Sequence, residues 1–360
     1  MAPAIGPKTA RKLLTEFGSA RNIFEQKKWK LFHQIKGIGP GLSESFIPSS
    51  LLEQAEREIE FIDSFGLSAL SFEHPDYPAQ LSECPDAPLV LFARGKRGLR
   101  CTKSLSVVGT RRATTYGREI CRNIVAGLAF QIENLVIVSG LAYGIDVIAH
   151  RAALEAGIPT MAVLGHGLDT IYPFSHRGTA IKISEQGALL TDFFSGMGPE
   201  RNNFLRRNRI IAGLSEATLV VESAKTGGAL ITASLASSYG RDVLAVPGKV
   251  GDERSKGCNK LIKSNIAAMV ESAEDVIHHL NWESRLEKNS LNKSPDLKLS
   301  SADKQLLSLI REHPGMDPND LSSTSGIPIQ KVLTRLVEME IKEWIYTEPG
   351  NRYHSRIDCS

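Results

Sequence analysis

Residues 105–117, LSVVGTRRATTYG, decide the fold class of this chain. Leu105–Val108 has the short, mostly apolar character of a strand that is buried on both faces. Gly109 permits a sharp turn off that strand, and a helical pattern follows over about 116–130. The stretch therefore predicts a strand, a tight turn and a helix.

The same alternation continues from residue 105 to residue 280. Strands followed by helices in this way are typical of a parallel sheet covered on both faces. We therefore predict an α/β fold with a doubly wound, Rossmann-like parallel sheet core. The further predicted strands are Leu135–Ser139, Thr160–Leu164, Ala188–Thr191, Thr218–Val221 and Val243–Val246, and the further helices cover about 145–156, 177–185, 207–213, 227–238 and 258–266.

The regions outside this core have different patterns. Residues 1–70 read as a small helical domain of the SAM or helix-hairpin-helix kind, with an amphipathic helix over Leu51–Phe65. Residues 71–280 form the extended Rossmann-like domain, opened by a proline-punctuated connector and a strand over Leu89–Ala93. Residues 281–300 are polar and aperiodic, which predicts a linker. Residues 301–360 predict three helices and a hairpin, the layout of a winged-helix domain.

Two glycine-containing turns stand out near the N-terminus, at residues 5–10 (IGPKTA) and 37–42 (GIGPGL). Such turns expose backbone N–H groups at a helix start and can hold a DNA phosphate without reading sequence. A small helical bundle with glycine caps is the alternative, and we favour it. Because the chain opens at the first of these turns, we expect a trimmed start.

Composition excludes several classes of protein. Hydrophobic residues make up 42% of the chain and charged residues 23%, which are ordinary globular values. No apolar run approaches the roughly 18–20 residues of a membrane span, and the N-terminus lacks the apolar core of a signal peptide. The five cysteines form no CxxC pair, so we expect reduced thiols, no metal site and a cytoplasmic location. The net charge of only +3 means that cations for a nucleic acid must be clustered locally.

Two turns of the predicted sheet are suited to anions. Arg111 follows Gly109 and Thr110 at the carboxyl edge, beside a helix that Thr114 or Thr115 can cap. Thr226-Gly227-Gly228 opens a later helix as a second anion nest. In a doubly wound sheet these two turns should face each other across one groove, at the point where strand order reverses. A surface arginine beside a capped helix is the alternative for Arg111.

A cationic run lies at residues 199–209, PERNNFLRRNR. Arginine and asparagine donors are interleaved there with Phe204, and arginine is a planar donor suited to phosphates and bases. We expect ligand contact from part of this run. Arg207 or Arg209 could instead be buried in a structural ion pair.

Three other features have chemical and structural interpretations. Asp146 could be catalytic, although its place at a helix start favours a structural role. Gly165-His166-Gly167 resembles a dinucleotide fingerprint, but it follows the third strand and Tyr172-Pro173 interrupts a helix there, which disfavours NAD. Glu222 could serve a nucleotide hydrolase, but we expect it to be buried at a strand end.

Taken together, these residues resemble the DprA/Smf family of DNA-processing proteins over about residues 72–280. The matching motifs are Asp76-Tyr77-Pro78, Gly109-Thr110-Arg111 with Thr115-Tyr116-Gly117, Ser139-Gly140-Leu141-Ala142-Tyr143-Gly144-Ile145-Asp146, Ala162-Val163-Leu164-Gly165, Arg207-Asn208-Arg209-Ile210-Ile211-Ala212-Gly213, Thr226-Gly227-Gly228-Ala229-Leu230-Ile231-Thr232, and Ala245-Val246-Pro247-Gly248 with Gly257-Cys258-Asn259.

The resemblance implies a non-enzymatic protein that binds single-stranded DNA, protects incoming strands in natural transformation and loads RecA onto them. It also implies a homodimer formed through the Rossmann-like domain. Arg111 matches the family's pocket arginine, and Arg201 falls where the family often has lysine. Where the family often has a lysine after Tyr-Pro, this chain has Phe174, so Phe174 could stack on a base while Arg177 supplies the charge.

From the motifs and the resemblance together, we expect a DNA-binding site, no catalytic residue, no cofactor and no metal. A nucleotide-monophosphate hydrolase and a winged-helix regulator of duplex DNA are the alternative functions. The net charge of residues 301–360 is −2, from seven basic and nine acidic residues, which argues against duplex binding by that domain. The predicted DNA-binding residues are Gly109, Thr110, Arg111, Arg112, Ser139, Gly140, Phe174, Arg177, Arg201, Arg207, Asn208, Arg209, Thr226, Gly227 and Gly228.

Overall fold

The computed structural model divides the chain into two compact units, Met1–Arg285 and Leu286–Ser360. Each unit has its own apolar core. The residues described are 5–25, 32, 35, 48–95, 97–285, 300–342 and 344–356.

A nine-stranded sheet forms the centre of the first unit. Its spatial order is β1-β2-β6-β5-β4-β3-β7-β8-β9, and every neighbouring pair from β6 to β9 runs parallel. This confirms an α/β fold with a large, mostly parallel sheet. The strands are β1 Ser68–Ser71, β2 Val90–Arg94, β3 Lys103–Val108, β4 Leu135–Ser139, β5 Thr160–Val163, β6 Ala188–Thr191, β7 Ala217–Val220, β8 Asp242–Ala245 and β9 Ala268–Met269.

One edge of the sheet departs from the purely parallel prediction. β1 pairs antiparallel with β2, and β2 pairs antiparallel with β6. β1 overlaps the last residues of the region 1–70, for which only helices are predicted. Its sequence SALS is too short and too polar to show the pattern of a buried strand, and it depends on pairing with β2 instead.

Helices cover both faces of this sheet. Apolar side chains on one face include Leu91, Val138, Val163 and Ile211, and those on the other include Leu105, Ile124, Leu128 and Ile137. The helices of the core are α4 Ala79–Ser82, α5 Thr115–Gln131, α6 Ile145–Glu155, α7 Arg177–Gln186, α8 Arg201–Gly213, α9 Gly228–Ser238, α10 Lys256–Lys263 and α11 Ala273–His279, preceded by α1 Pro7–Phe17, α2 Ala20–Glu25 and α3 Pro48–Phe65.

Helix α8 begins six residues before the predicted start at residue 207. The sequence shows residues 201–206 as part of a cationic run and predicts no helix there. After Pro199, however, the run contains no helix-breaking residue, and its arginines, asparagines and leucine all allow helical backbone. The cationic run is therefore carried on a rigid helix.

The second unit contains three helices followed by a hairpin among its described residues. They are α12 Ser301–Glu312, α13 Pro318–Ser325, α14 Ile329–Ile341, β10 Ile345–Glu348 and β11 Arg352–Ser355. Ser300 and Asp303 form a reciprocal capping box at the start of α12. Leu306, Ile310, Leu321 and Leu336 are fully buried in a separate core.

Two features of the sequence analysis reach beyond what the structure describes. The second glycine turn, at residues 37–42, and residues 286–299 of the predicted linker 281–300 lie outside the described residues. Within the described ranges, no helix has the length and apolarity that crossing a bilayer requires, and no three metal-ligating side chains cluster together.

Gly178 within α7 and Gly187, the residue that follows this helix, should respond in opposite ways to replacement by alanine. A Cβ on Gly187, at the C-terminus, would lie 1.9 Å from the Thr160 carbonyl oxygen, whereas one on Gly178 would meet nothing within 4 Å. We expect Gly187→Ala to lower the free energy of unfolding by about 1–3 kcal/mol or more. Gly178→Ala should leave it unchanged or raise it by up to about 1 kcal/mol. Urea unfolding of both variants tests this, and equal effects would contradict it.

Candidate functional site

A groove opens at the carboxyl edge of the sheet, where the strand order reverses. The chain leaves β3 toward β4 on one side and reaches β7 on the other, so the turns after β3 and β7 are neighbours. Residues 109–111 and 226–228 both line this groove, which has a volume of about 1230 Å³. The two turns therefore face each other, as the sequence predicted.

Glu222, at the end of β7, holds the first of these turns in place. Its carboxylate accepts hydrogen bonds from the Thr114 backbone N–H, at 2.9 Å, and from the Thr114 hydroxyl. Its backbone carbonyl accepts from the Thr110 N–H at 2.7 Å. Glu222 is only 2% exposed, so its role is to fix the backbone that carries Arg111. This is the buried structural role that we favoured for it.

The floor of the groove contains a buried charged pair. The Arg207 guanidinium of α8 donates to the carbonyl of Gly140, at 2.8 Å, and to that of Val163. Asp146, from the first turn of α6, lies beside it and is also buried. A Cβ on Gly140 would lie 2.7 Å from both the guanidinium nitrogens and the Asp146 carboxylate. Glycine is therefore required there because the two charges close around the backbone.

Burial opposes both charges on this floor. Burial raises the pKa of the Asp146 carboxyl, while Arg207 and backbone hydrogen bonds act in the opposite direction. Burial also lowers the pKa of Arg207 to about 10, against the attraction of Asp146. A pKa of about 10 still leaves Arg207 charged at neutral pH. The floor of the groove thus contains a buried guanidinium that lies beside the Asp146 carboxyl.

Aromatic rings and exposed guanidinium groups form one wall. The Phe204 ring lies 5.8 Å from the Arg111 Cζ and 5.9 Å from the Arg207 Cζ, both within cation–π range. Tyr172 packs against Phe204 with ring centroids 5.7 Å apart. Arg201 is exposed at the start of α8 and lines the same groove.

The opposite wall is mainly apolar and belongs to α9. Ala229, Leu230, Ile231 and Leu235 line the groove from that side. Asn208 of α8 joins the two walls, because its amide donates to the Gly228 carbonyl at 3.4 Å. The groove therefore offers cations and aromatic rings on one side, and small or aliphatic side chains on the other.

Most of the predicted site residues come together in this groove. Those that line it are Gly109, Thr110, Arg111, Arg201, Arg207, Asn208, Thr226, Gly227 and Gly228. Arg112 is exposed beside the turn but does not line the groove. Gly140 does not line the groove, but its carbonyl accepts a hydrogen bond from Arg207 at the floor. Phe174 and Arg177 lie on the neighbouring segment that follows Tyr172.

Two predicted contact residues do not line this groove. Ser139 is fully buried, and its hydroxyl donates to the Val107 carbonyl at 2.6 Å, so it ties β4 to β3. Arg209 pairs with the nearly buried Asp192 and donates to the Asp86 carbonyl. It is the structural ion pair that we held open as an alternative.

The aromatic wall was missing from the predicted site. Phe204 was noted within the cationic run, and Tyr172 only as a residue that breaks a helix, but neither was assigned to the site. Helical spacing was the available signal, because Phe204, Arg207, Asn208 and Ile211 share one face of α8.

The chain is similar to the members of one protein family and to a curated protein. Residues 68–281 match the family described as DNA recombination-mediator protein A. Over 289 residues the chain is 37% identical to Protein Smf of Escherichia coli (strain K12), and the aligned part covers 79% of this chain and 76% of that protein.

Two solved structures are also similar. The X-ray structure of DNA processing protein A (DprA) from Streptococcus pneumoniae matches with a TM-score of 0.58 and 32% identity, covering 76% of this chain and 98% of that one. DNA processing protein A from Helicobacter pylori matches with a TM-score of 0.54 and 26% identity, covering 60% and 97%. The latter structure is described in terms of that protein's unique single-stranded DNA binding mode.

A buried histidine behind the groove should make stability depend on pH. His150 is fully buried, its Nδ1 lies 2.7 Å from the Thr160 hydroxyl, and burial lowers its pKa to about 3. In the unfolded chain its pKa is about 6.5, so the unfolded state binds the extra proton between these values. This contribution to stability is complete above about pH 6.5 and is lost as pH falls toward 3.

We expect about 2 kcal/mol of this contribution to disappear between pH 7 and pH 5. His150→Asn keeps a donor near the Nδ1 position but cannot titrate, so its free energy of unfolding should fall less steeply over that range. Urea unfolding at several pH values measures the two slopes. The pKa values of His166 and His176 are also lowered by burial, so some slope should remain. Parallel curves for the two proteins would contradict the assignment.

Proposed function

The chain belongs to the DNA recombination-mediator protein A family, and on that premise we propose that it binds single-stranded DNA in the groove and delivers the strand to RecA. The observation that supports this most directly is the Phe204 ring, which lies 5.8 Å from the Arg111 Cζ and 5.9 Å from the Arg207 Cζ at the switch point of the sheet. The exposed Arg111 would neutralise a phosphate there, and the ring would stack on a base.

The chemistry of the groove favours an unpaired strand over a duplex. A ring can stack on a base only if that base is free of its own neighbours, as in a single strand. Arg111 and Arg201 supply charge without a recognition helix that could enter a duplex groove. The H. pylori relative, a single-strand binder by its description, adds support because 60% of this chain matches it.

We also propose that binding here is not coupled to catalysis. The Glu222 carboxylate accepts hydrogen bonds from the Thr114 N–H and hydroxyl, so it is already engaged in holding the backbone. Asp146 is buried beside Arg207, which gives it a structural role in holding the floor. The proposed activity is then to hold and protect strands in natural transformation and recombination, within the cytoplasm and as a homodimer formed through the Rossmann-like unit.

We propose that the helical region before the sheet and the second unit are accessory domains. The arrangement of α12–α14 and the β10–β11 hairpin supports a winged-helix assignment for residues 301–360, and α1–α3 support a small SAM-like helical domain before the sheet. α14 would be the recognition helix of a winged helix, yet its exposed face carries Leu333, Val337 and Ile341. An apolar face of this kind suits a protein contact better than a phosphate backbone.

Arg111→Ala should weaken binding of oligothymidylate by roughly tenfold, about 1.4 kcal/mol, because a phosphate contact is lost. The slope of log affinity against log salt should fall by about 0.7, since one fewer counterion is released. Fluorescence anisotropy with labelled oligothymidylate at several salt concentrations measures both quantities.

Arg112→Ala is the matched control, because it removes the same charge from the next residue, which is exposed outside the groove. We expect a much smaller change for this control. If Arg111→Ala and Arg112→Ala lower the affinity equally, general electrostatic attraction explains binding and the groove does not hold the strand.

Removal of the second unit should leave this binding largely intact. A chain ending at Arg285 keeps the complete sheet and the groove. We expect its affinity for oligothymidylate to stay within tenfold of that of the full chain, since residues 301–360 are net acidic. A larger loss, more than about 1.4 kcal/mol, would show that the second unit binds the strand directly.

A further inference from the structure

We propose that Glu58 of α3 is a positioning residue for the groove. Its buried carboxylate holds the segment 194–200 that leads from β6 into α8, and so fixes Arg201 and Phe204 where they would meet the DNA. This inference rests on the proposed function, because the groups that Glu58 positions are the proposed DNA contacts. It gives the helical region before the sheet a role in the groove, although no described residue of α3 lines the groove.

The burial of Glu58 without a positive partner is the first observation. Glu58 is only 6% exposed, whereas Arg57, Ile59 and Glu60 beside it are exposed. Among the ion pairs of the described residues, none engages Glu58. Burial of a carboxylate is costly unless other groups satisfy it. The hydrogen bonds that Glu58 accepts must therefore compensate for that cost.

The hydrogen-bond partner of this carboxylate is Ser195, which follows the end of β6. The Glu58 Oε2 accepts from the Ser195 backbone N–H at 2.9 Å and from the Ser195 hydroxyl at 2.6 Å. Hydrogen bonds that a carboxylate accepts are among the stronger ones in proteins. Because one donor belongs to the backbone and the other to the side chain, the two bonds together fix both the position and the direction of the chain at Ser195.

Apolar contacts hold α3 in the place from which Glu58 reaches Ser195. Phe61 and Ile62 of α3 pack, together with Phe194, against a buried cluster that includes Leu141 and Leu164. Apolar burial is non-directional, so these contacts keep α3 on the core without fixing the path of the segment that follows Phe194. Hydrogen bonds are directional, and those accepted by Glu58 supply the missing constraint.

The segment between Ser195 and α8 is held at both of its ends. It contains Gly196, whose φ of +78° is a backbone conformation that glycine adopts easily and other residues rarely adopt. The Gly198 carbonyl accepts a hydrogen bond from the Asn203 side chain at 3.2 Å, which ties the far end of the segment to the first turn of α8. Glu58 fixes the near end at Ser195, so the path between the two ends is defined.

A displacement of this segment would reach the groove directly. α8 begins without a side-chain hydrogen bond to its N-terminal N–H groups from the N-cap residue Glu200, so the residues before it determine where it starts. Pro199 and Arg201 line the groove, and the Phe204 N–H donates to the Glu200 carbonyl at 3.2 Å. Loss of the Glu58 contact would therefore let Arg201 and Phe204 leave the positions at which they meet a phosphate and a base.

The sign of the effect on DNA affinity separates positioning from charge. Removal of a negative charge should strengthen DNA binding if only general electrostatic attraction operates. We expect Glu58→Ala instead to weaken binding of oligothymidylate roughly tenfold and to lower the salt slope by about 0.7, because the phosphate contact of Arg201 is lost. Glu58→Gln should bind like the wild type, because its amide oxygen can accept the same two hydrogen bonds. Fluorescence anisotropy at several salt concentrations measures all three proteins.

Double-mutant cycles test the route from Glu58 to the groove. Ser195→Ala removes the hydroxyl donor but keeps the backbone N–H, so its loss of affinity should be smaller than that of Glu58→Ala. The Ser195→Ala loss should disappear when residue 58 is already alanine, because the two residues act through one contact. The salt slope of Glu58→Ala should fall no further when Arg201→Ala is added. Ser195→Ala also tests the contact by itself if Glu58→Ala fails to fold.

Glu60→Ala is the matched control, since Glu60 is exposed on the same helix and carries the same charge. It should leave the affinity unchanged or slightly higher. The positioning role is overturned if Glu58→Ala, shown by urea unfolding to be folded, binds at least as tightly as the wild type, or if Glu58→Gln binds as weakly as Glu58→Ala. In either case a loss in Arg111→Ala still supports the groove, whereas wild-type affinity in Arg111→Ala refutes the proposed function itself.

Discussion

The buried guanidinium of Arg207 is the interaction on which the site depends. It joins the ends of β4 and β5 through the carbonyls of Gly140 and Val163, and it does so from α8, a third element of the fold. A buried cation is costly to desolvate, and removal of its partners would leave that cost uncompensated. Asp146 and two carbonyls offset it here, so the floor of the groove can exist only when these elements are assembled in this arrangement.

The site divides its charged groups into two kinds. Arg207, Asp146 and Glu222 are buried and hold backbone in place, so their contacts are already formed before any ligand arrives. Arg111 and Arg201 are exposed at the mouth of the groove and are free to contact a phosphate. A protein that binds a flexible polyanion without reading its sequence needs a preorganised backbone, which the buried groups provide, and accessible cations, which the exposed arginines provide.

Periodicity and turn chemistry in the sequence were sufficient for the strands β2 to β8 and for the two facing turns, but not for the short edge strands β1 and β9. Strands such as Leu135–Ser139 are continuous apolar runs, and Gly109 and Gly227 mark the turns that follow two of them. The directions of the side chains on α8 were not predicted, because the helix was taken to start at residue 207. In a helix, residues 207 and 209 point about 160° apart, so one reaches the groove floor while the other pairs with Asp192. Ser139 could not be excluded either, because its contact with the Val107 carbonyl depends on strand register.

The two kinds of charge also differ in how salt should affect them. A buried guanidinium that reaches no phosphate releases none of the counterions condensed on the strand, and it attracts the strand only through its field on the groove. Exposed guanidinium groups neutralise phosphates and release the counterions condensed there, so the salt dependence of binding is set by them. The uncharged ring of Phe204 lies near both the exposed Arg111 and the buried Arg207. Stacking of this ring on a base releases no counterions and therefore does not depend on salt in this way. The affinity that remains at high salt would therefore measure the stacking contribution of the rings. The slope of log affinity against log salt would give the number of exposed arginines that contact phosphates.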